Sequence, residues 1–165
     1  GEILDTTAVS QLLDVVTQTY THTVVDLPLS LPRELLQMAT SMSSAIVAVL
    51  TPDLPSLRRT ERLLRFLTAL EAGDKVRLVL NRSRKSDEIT DADIAKSLHQ
   101  PVIGKVANDY YACMEAINSG KAVQSTSSKQ LAKDFRNVAH HLLGHPVQEK
   151  RGGLLSLLPK TSPLF

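Results

Sequence analysis

Hydrophobic residues along this chain form continuous runs that alternate with segments of helical periodicity. Four runs rich in β-branched residues predict buried strands around Val24 and Val25 and at residues 44–50, 76–80 and 101–106. Strands that are apolar throughout are typical of a parallel sheet with both faces covered. The sequence therefore predicts an α/β fold, with a mostly parallel sheet and helices on both faces.

Helical periodicity and capping residues mark the segments between these runs. Asp5 and Asp53 are N-cap candidates, and Thr90 with Asp93 forms a capping-box pattern. The pattern predicts helices that begin near residues 6, 31, 54, 90, 109 and 127. The last helix is expected to bury Leu131, Phe135, Val138 and Leu142.

Each predicted strand is followed by polar, turn-forming residues, at positions 26–28, 51–53, 81–82 and 106–109. In an open parallel sheet these segments converge on one edge, where ligands bind. Asp26 falls where the first strand should end, and Pro28 prevents the ladder from continuing. That arrangement suits a metal–phosphate group. A buried strand that ends in an Asx turn explains the same residues equally well.

Composition narrows the class of protein. The 165 residues are 42% hydrophobic and 22% charged, which fits one globular domain over residues 1–146 and a basic, leucine-rich tail at 147–165. A net charge of +2, no Trp and 4% aromatic residues argue against a dedicated nucleic-acid reader. A single cysteine, no signal-peptide pattern and apolar runs too short to span a membrane predict a cytoplasmic protein.

The strand ends carry a resemblance to a known family. Residues 24 to about 123 resemble the C-terminal half of MinD/ParA-type (deviant Walker) P-loop ATPases, and most of all the CpaE/TadZ branch associated with assembly of Flp (tight-adherence) pili. Five blocks carry the resemblance, at residues 24–28, 51–58, 78–82, 102–109 and 115–121. It implies a P-loop-NTPase-like sheet.

The resemblance implies roles for individual residues. Asp26 matches the Walker-B aspartate, which acts on Mg²⁺ through a water, and Pro28 lies in the matching switch segment. Pro52, Asp53 and Arg58 match a segment near the nucleotide-sandwich dimer interface. The adenine side of an ATP site corresponds to Asn81, Arg82, Ala107, Asn108 and Asp109, with Ala107 where many relatives have proline.

One part of the family's site has no counterpart. Phosphoryl transfer in this class depends on a glycine-rich loop and its lysines, and no G-x-x-x-x-G-K-[ST] pattern occurs in the 165 residues. The chain therefore resembles the C-terminal part of a longer ATPase domain. ATP and Mg²⁺ are expected cofactors of the full-length protein, with no cofactor or hydrolysis expected for the chain alone. Without the P-loop strand, an apolar sheet edge is expected to promote self-association or strand exchange.

Three further patterns bear on ligands and partners. Arg58, Arg62 and Arg65 share one helix face. This face is either an ordinary solvated surface or a contact surface for DNA phosphates or an acidic partner. His141 and His145 have metal-ligand spacing, but no Cys or acid completes a set. The tail carries four leucines, Leu154, Leu155, Leu157 and Leu158. They could make a weak membrane-surface contact, dock on the sheet of the chain itself, or belong to a flexible segment.

These observations leave three functions open. The leading one is a MinD/ParA-like ATPase that localises or assembles Flp pilus or type II/IV secretion machinery, in the cytoplasm or at the inner membrane or cell pole. Nucleotide would control homodimerisation of the full-length protein. The second is a non-catalytic interaction module that has lost nucleotide binding. The third is a chromosome- or plasmid-partition ATPase, although DNA binding is not expected.

Overall fold

The computed structural model describes residues 5–28 and 30–144, which form six α-helices and three strands. In chain order these are α1 (Thr6–Thr19), α2 (Arg33–Met42), β1 (Ile46–Leu50), α3 (Leu54–Ala69), β2 (Val76–Ser83), α4 (Asp91–Leu98), β3 (Val102–Ala107), α5 (Tyr110–Ser119) and α6 (Lys129–Leu142). Short 3-10 turns precede β2 and α6. Within this part of the chain, no helix has both the length and the apolar character that a membrane crossing requires.

The three strands form one parallel sheet in the order β1-β2-β3. β1 pairs with β2 in an unbroken register that runs from Ile46 opposite Val76 to Leu50 opposite Leu80. The pairing of β2 with β3 shifts register twice, after Leu78 and after Leu80. The expected parallel α/β fold is therefore confirmed, and the carboxyl ends of all three strands point to the same edge.

The sheet separates two apolar cores. On one face, the β2 side chains of Val76, Leu78 and Leu80 are at most 1% exposed and pack with α3 and α4. On the other face, Val79 of β2 packs with α5 and α6. Because both faces of β2 are covered, its sequence is apolar at successive positions instead of alternating.

Local sequence explains where several helices begin and end. At the start of α4, the Thr90 hydroxyl accepts a hydrogen bond from the Asp93 amide, and Asp93 Oδ2 accepts one from the Thr90 amide, both at 3.1 Å. This is the expected capping box. α5 ends at Gly120, whose φ of 61° lies in the left-handed region that favours glycine.

The segment predicted as the first strand is not a strand. Residues 22–28 have neither helix nor strand and lie outside the sheet, and Val24 is 97% exposed. β-branched residues favour an extended backbone, but a strand is stable only beside a neighbour that pairs with its amides and carbonyls. β1 pairs on one side with β2 and has no neighbour on its other side within residues 5–28 and 30–144. The prediction of a buried strand ending at Asp26 is therefore wrong.

Two smaller expectations are also corrected. β2 continues to Ser83, so Asn81 and Arg82 are strand residues and not part of a loop. The apolar stripe of α6 is only partly buried, since Leu131 is fully enclosed while Phe135 is 41% and Leu142 39% exposed. The reason is that α6 packs on β3, the edge strand, beyond which no further strand of the described chain extends the contact.

Candidate functional site

The carboxyl ends of β2 and β3 are joined by hydrogen bonds. The Asn108 amide donates to the Ser83 carbonyl at 3.0 Å. With its side-chain oxygen turned toward Arg84, Asn108 also accepts hydrogen bonds from Nη2 at 2.7 Å and Nε at 2.8 Å. These contacts bring the adenine-side residues expected on β2 and those expected after β3 to one edge of the sheet.

Arg82 gives the end of β2 an unusual backbone. Its φ of 55° lies in the left-handed region, which residues other than glycine adopt rarely and often at functional sites. The Arg82 amide donates to Asn81 Oδ1 at 2.9 Å, which stabilises this conformation. The Arg82 side chain is exposed, so it is available to a ligand at the sheet edge.

Asp87 orders the loop that follows β2. Its Oδ2 atom accepts hydrogen bonds from the Arg84 amide at 2.6 Å and from the Ser83 hydroxyl at 3.4 Å. The loop is thereby held in the position from which Arg84 contacts Asn108. Sequence reasoning did not identify Asp87 or Arg84 as part of this edge, because no motif links them to Asn108.

Asp134 anchors the end of β3 from α6. This carboxylate is 8% exposed, accepts from the Ala107 amide at 3.0 Å through Oδ2, and accepts from Gln130 Nε2 at 2.7 Å through Oδ1. Sequence reasoning missed it, although a signal exists. Asp134 lies three residues after Leu131 and four before Val138, which places it on the buried side of α6.

Replacing Asp134 with alanine is expected to lower the free energy of unfolding by about 1–3 kcal/mol, because the Ala107 amide loses its acceptor in a partly buried place. Urea denaturation measures the effect. Asp134→Asn keeps one side-chain oxygen and should lose less. A loss no greater than that of the exposed-site control Lys133→Ala would contradict the anchoring role.

Asp109 is committed to capping α5. Its Oδ1 atom accepts from the Ala112 amide at 3.1 Å. That backbone hydrogen bond, followed by one from the Ser128 side chain, lowers the pKa of Asp109 below its usual range. Of the residues expected on the adenine side, Asp109 therefore carries a negative charge whose position is set by the helix it begins.

Asp53 organises the turn between β1 and α3. It accepts hydrogen bonds from the Thr51 hydroxyl and from the Ser56 amide, the latter at 2.8 Å, while the Ser56 hydroxyl accepts from the Thr51 amide at 3.1 Å. The Thr51 hydrogen bond is the main reason that the pKa of Asp53 is lowered. The segment expected near a dimer interface is thus a rigid, capped turn.

Asp53→Ala is expected to destabilise the protein by about 1 kcal/mol at neutral pH, because α3 loses its N-cap. The folded-state pKa of Asp53 is below its unfolded value, so this contribution is complete above about pH 4 and is lost as the pH falls through the folded-state value. Thermal melts of both proteins between neutral and acid pH should converge. Asp53→Asn keeps a capping oxygen but does not titrate, so its stability advantage over Asp53→Ala should not depend on pH in this range. If that advantage fell with pH as the wild-type advantage does, the assignment to Asp53 would be contradicted.

Asp26 and Pro28 are not in a strand of this sheet. Both are exposed and lie in the segment 22–28 outside the sheet. No group of three or more His, Cys, Asp or Glu side chains that could hold a metal occurs in the described ranges 5–28 and 30–144. The tail leucines 154, 155, 157 and 158, and His145, lie outside the described residues.

The chain aligns over most of its length with a curated relative. It is 26% identical over 158 residues to septum site-determining protein MinD of Bacillus subtilis (strain 168), an alignment that covers 90% of this chain and 58% of MinD. No family model matches the chain.

Solved structures of similar proteins superpose on most of the chain. The MinD cell division protein of Aquifex aeolicus gives a TM-score of 0.75 at 18% identity, covering 89% of this chain and 64% of MinD. The ParA family ATPase from Chlorobium tepidum TLS gives 0.73 at 27% identity, covering 84% of this chain and 57% of the ATPase. MinD in the MinC:MinD cell division protein complex of Aquifex aeolicus gives 0.76 at 18% identity over 90% of this chain. The chain thus spans less than two thirds of the length of these relatives.

Proposed function

We propose that the chain, whose fold is that of MinD/ParA-type P-loop ATPases, is the C-terminal part of such an ATPase domain. Its proposed role is to localise or assemble Flp pilus or type II/IV secretion machinery, as in the CpaE/TadZ branch that its sequence blocks resemble. The observation that supports the ATPase part most is the joined carboxyl edge of β2 and β3 within this fold. The pilus role rests on the sequence resemblance.

ATP would bind with its base at this edge. Asn81 and Arg82 at the end of β2 and the residues 107–109 after β3 form the proposed base-side contacts, since they come together in the fold. Asp26 and Pro28 belong to the proposed Mg²⁺ and switch side. A glycine-rich phosphate loop has to supply the rest, and the 165 residues contain none.

Nucleotide binding and phosphate release test this proposal. The chain alone, with ATP and Mg²⁺, is expected to release phosphate at background rate, whereas a version extended by the residues encoded before Gly1 should bind ATP. In that extended version Asn81→Ala should weaken binding, and the exposed-site variant Lys133→Ala should not. Turnover by the chain alone, or an extended version that binds no nucleotide, would overturn the proposal.

Self-association is proposed at two places. Within residues 5–28 and 30–144 one edge of β1 is unpaired, which favours strand addition from a second copy. Val47 and Val49 of this strand are also 39% and 61% exposed. In the full-length protein, a nucleotide-dependent homodimer would use Pro52, Asp53 and Arg58. Light scattering of the chain at increasing concentration checks the first contact, and a strictly monomeric chain would contradict it.

A non-catalytic interaction module is the second candidate. It is favoured by one observation, namely that the Asn81 and Asn108 side-chain oxygens are already engaged within the chain. Failure of the extended version to bind nucleotide would favour it. A partition role and DNA binding are not favoured.

A cytoplasmic protein with a weak peripheral membrane contact through the tail leucines is proposed, and liposome co-sedimentation with and without residues 150–165 tests that contact.

A further inference from the structure

We propose that the first two turns of α3 form a docking surface for an acidic helical segment of a partner protein. An open cleft of about 470 Å³ lies there. Its lining combines apolar and basic residues, namely Leu54, Pro55, Arg58, Arg59 and Arg62. This inference uses the surface of α3 alone and does not depend on nucleotide binding.

The arginines of this cleft differ in how far the chain itself satisfies them. Arg59 lies close enough to Asp53 to contribute to the lowered pKa of that carboxyl group. Arg65, one turn beyond the cleft, is paired with Glu61 at 2.5 Å. Arg58 and Arg62 are exposed, and no acidic side chain of the described residues forms an ion pair with either. Their charge is available to a partner.

Spacing along α3 indicates the shape of that partner. Arg58 and Arg62 are one helical turn apart, so their Cβ atoms lie about 6 Å from each other. Two carboxylates at positions i and i+4 of a second helix have the same separation. Each carboxylate would then accept two parallel hydrogen bonds from one guanidinium group.

The apolar part of the cleft requires an apolar side chain on the same face of the partner. Leu54 is 63% exposed at the start of α3, directly before Pro55, and is one turn before Arg58. A leucine or similar residue one turn from the two carboxylates would cover Leu54. The partner is therefore an amphipathic helix with an acidic pair and an adjacent apolar residue, the groove-binding arrangement of many short recognition helices.

A protein partner fits this surface better than nucleic acid. The cleft offers three guanidinium groups, which would contact about three phosphates, fewer than the about 6–10 contacts that make DNA binding steeply salt-dependent. The cleft lining also has no aromatic side chain on which a base could stack. The exposed Leu54 contributes nothing to a phosphate backbone.

A second copy of the chain fits it less well for another reason. In a symmetric contact the same surface would face itself, which would place the arginines of the two copies opposite one another. The dimer contact proposed for the full-length protein shares Arg58 with this cleft. The acidic segment and a second copy would therefore compete for that residue.

Fluorescence anisotropy with a designed peptide tests the inference. The probe is a helical peptide with two glutamates at i and i+4 and one leucine a turn away, and its matched control has glutamine in place of both glutamates. The full chain is expected to bind the glutamate peptide about tenfold more tightly than the glutamine peptide, and added salt should weaken the difference. Equal binding of the two peptides would overturn the proposal.

Two pairs of variants locate the binding site. Arg58→Ala with Arg62→Ala should weaken binding of the glutamate peptide by about tenfold, as expected for the loss of two ion pairs. Lys133→Ala with Arg136→Ala on α6 removes the same charge at exposed positions elsewhere and should leave it unchanged. Equal losses in both pairs would show a general charge effect and overturn the assignment. Unchanged circular dichroism of both pairs verifies that they fold.

Two further measurements distinguish other occupants. The first is binding of a short DNA duplex. If the Arg58 and Arg62 variants weaken DNA binding more than peptide binding, the cleft is assigned to nucleic acid and the proposal is overturned. The second is the mass by light scattering. If the mass rises with concentration and these variants abolish that rise, the cleft is assigned to a second copy and the proposal is also overturned. Peptide-specific loss with an unchanged mass supports the proposal.

Discussion

Leu78→Ala is expected to lower the free energy of unfolding by about 2–5 kcal/mol, measured by chemical denaturation. Leu78 is fully buried at the centre of β2 and packs in the core between the sheet and α3 and α4, with Leu64, Leu67 and Ile94. Alanine would remove its methyl groups from this core and leave a cavity, since the surrounding side chains can only partly relax. The sheet that carries the candidate site depends on this core.

A pair of valines provides the control. Val76 is fully buried on β2, whereas Val49 on the neighbouring strand β1 is 61% exposed. Val76→Ala should therefore destabilise clearly more than Val49→Ala, which is expected to cost about 0.5 kcal/mol or less. An equally large loss at Val49 would show that this face of β1 is covered in solution, which would contradict the exposure of the Val49 side chain.

Gly104→Ala is expected to destabilise the protein by about 1–3 kcal/mol, because a side chain there overpacks the contact between β3 and α6. A Cβ atom at position 104 would lie 2.5 Å from Val138 Cγ2 and 3.7 Å from Val138 Cβ. Real Cβ atoms do not approach so closely, so α6 or the Val138 side chain has to move. Because Asp134 of the same helix holds Ala107, the end of β3 is expected to shift with it.

A double-mutant cycle shows whether Val138 causes the loss. Val138→Ala alone removes a partly buried side chain and should destabilise modestly. The double variant Gly104→Ala with Val138→Ala should be more stable than the sum of the single losses predicts, by about 0.5–3 kcal/mol, since the two sites are in contact. Simple additivity of the two losses would contradict a steric origin.

The candidate site shows how far sequence reasoning reached. It predicted that the residues after the apolar runs meet at one edge, because parallel strands bring their carboxyl ends together, and the structure joins the ends of β2 and β3 there. The ligand-binding roles of Asn81, Arg82 and Asn108 stay predictions. Sequence reasoning did not find the residues that hold this edge in place. Arg84 and Asp134 are distant in sequence from the atoms they bind, because Arg84 contacts Asn108 and only the packing of α6 on β3 joins Asp134 to Ala107. Asp87 binds Arg84 and Ser83 within its own loop, where no motif marks it.

Asp26 shows the opposite outcome. Its local pattern of β-branched residues, a carboxylate and Pro28 predicted a buried strand end, but the segment has no neighbouring strand and is exposed. What the pattern could not contain was a partner for its backbone hydrogen bonds, which an amino-acid sequence of five or six residues does not specify.

The sequence by itself determined the features whose energy is local or periodic. Asp53, the Thr90–Asp93 box and Gly120 set helix ends through hydrogen bonds and φ angles within a few residues. The continuous apolar runs set a parallel sheet whose central strand, β2, is covered on both faces. Only the tertiary structure decided which of these runs pair, that Val138 packs against Gly104 where a Cβ atom would not fit, and that Asp134 holds the end of β3. The physical reason is that strand pairing and close packing are energies between segments far apart in the chain, so no short pattern encodes them.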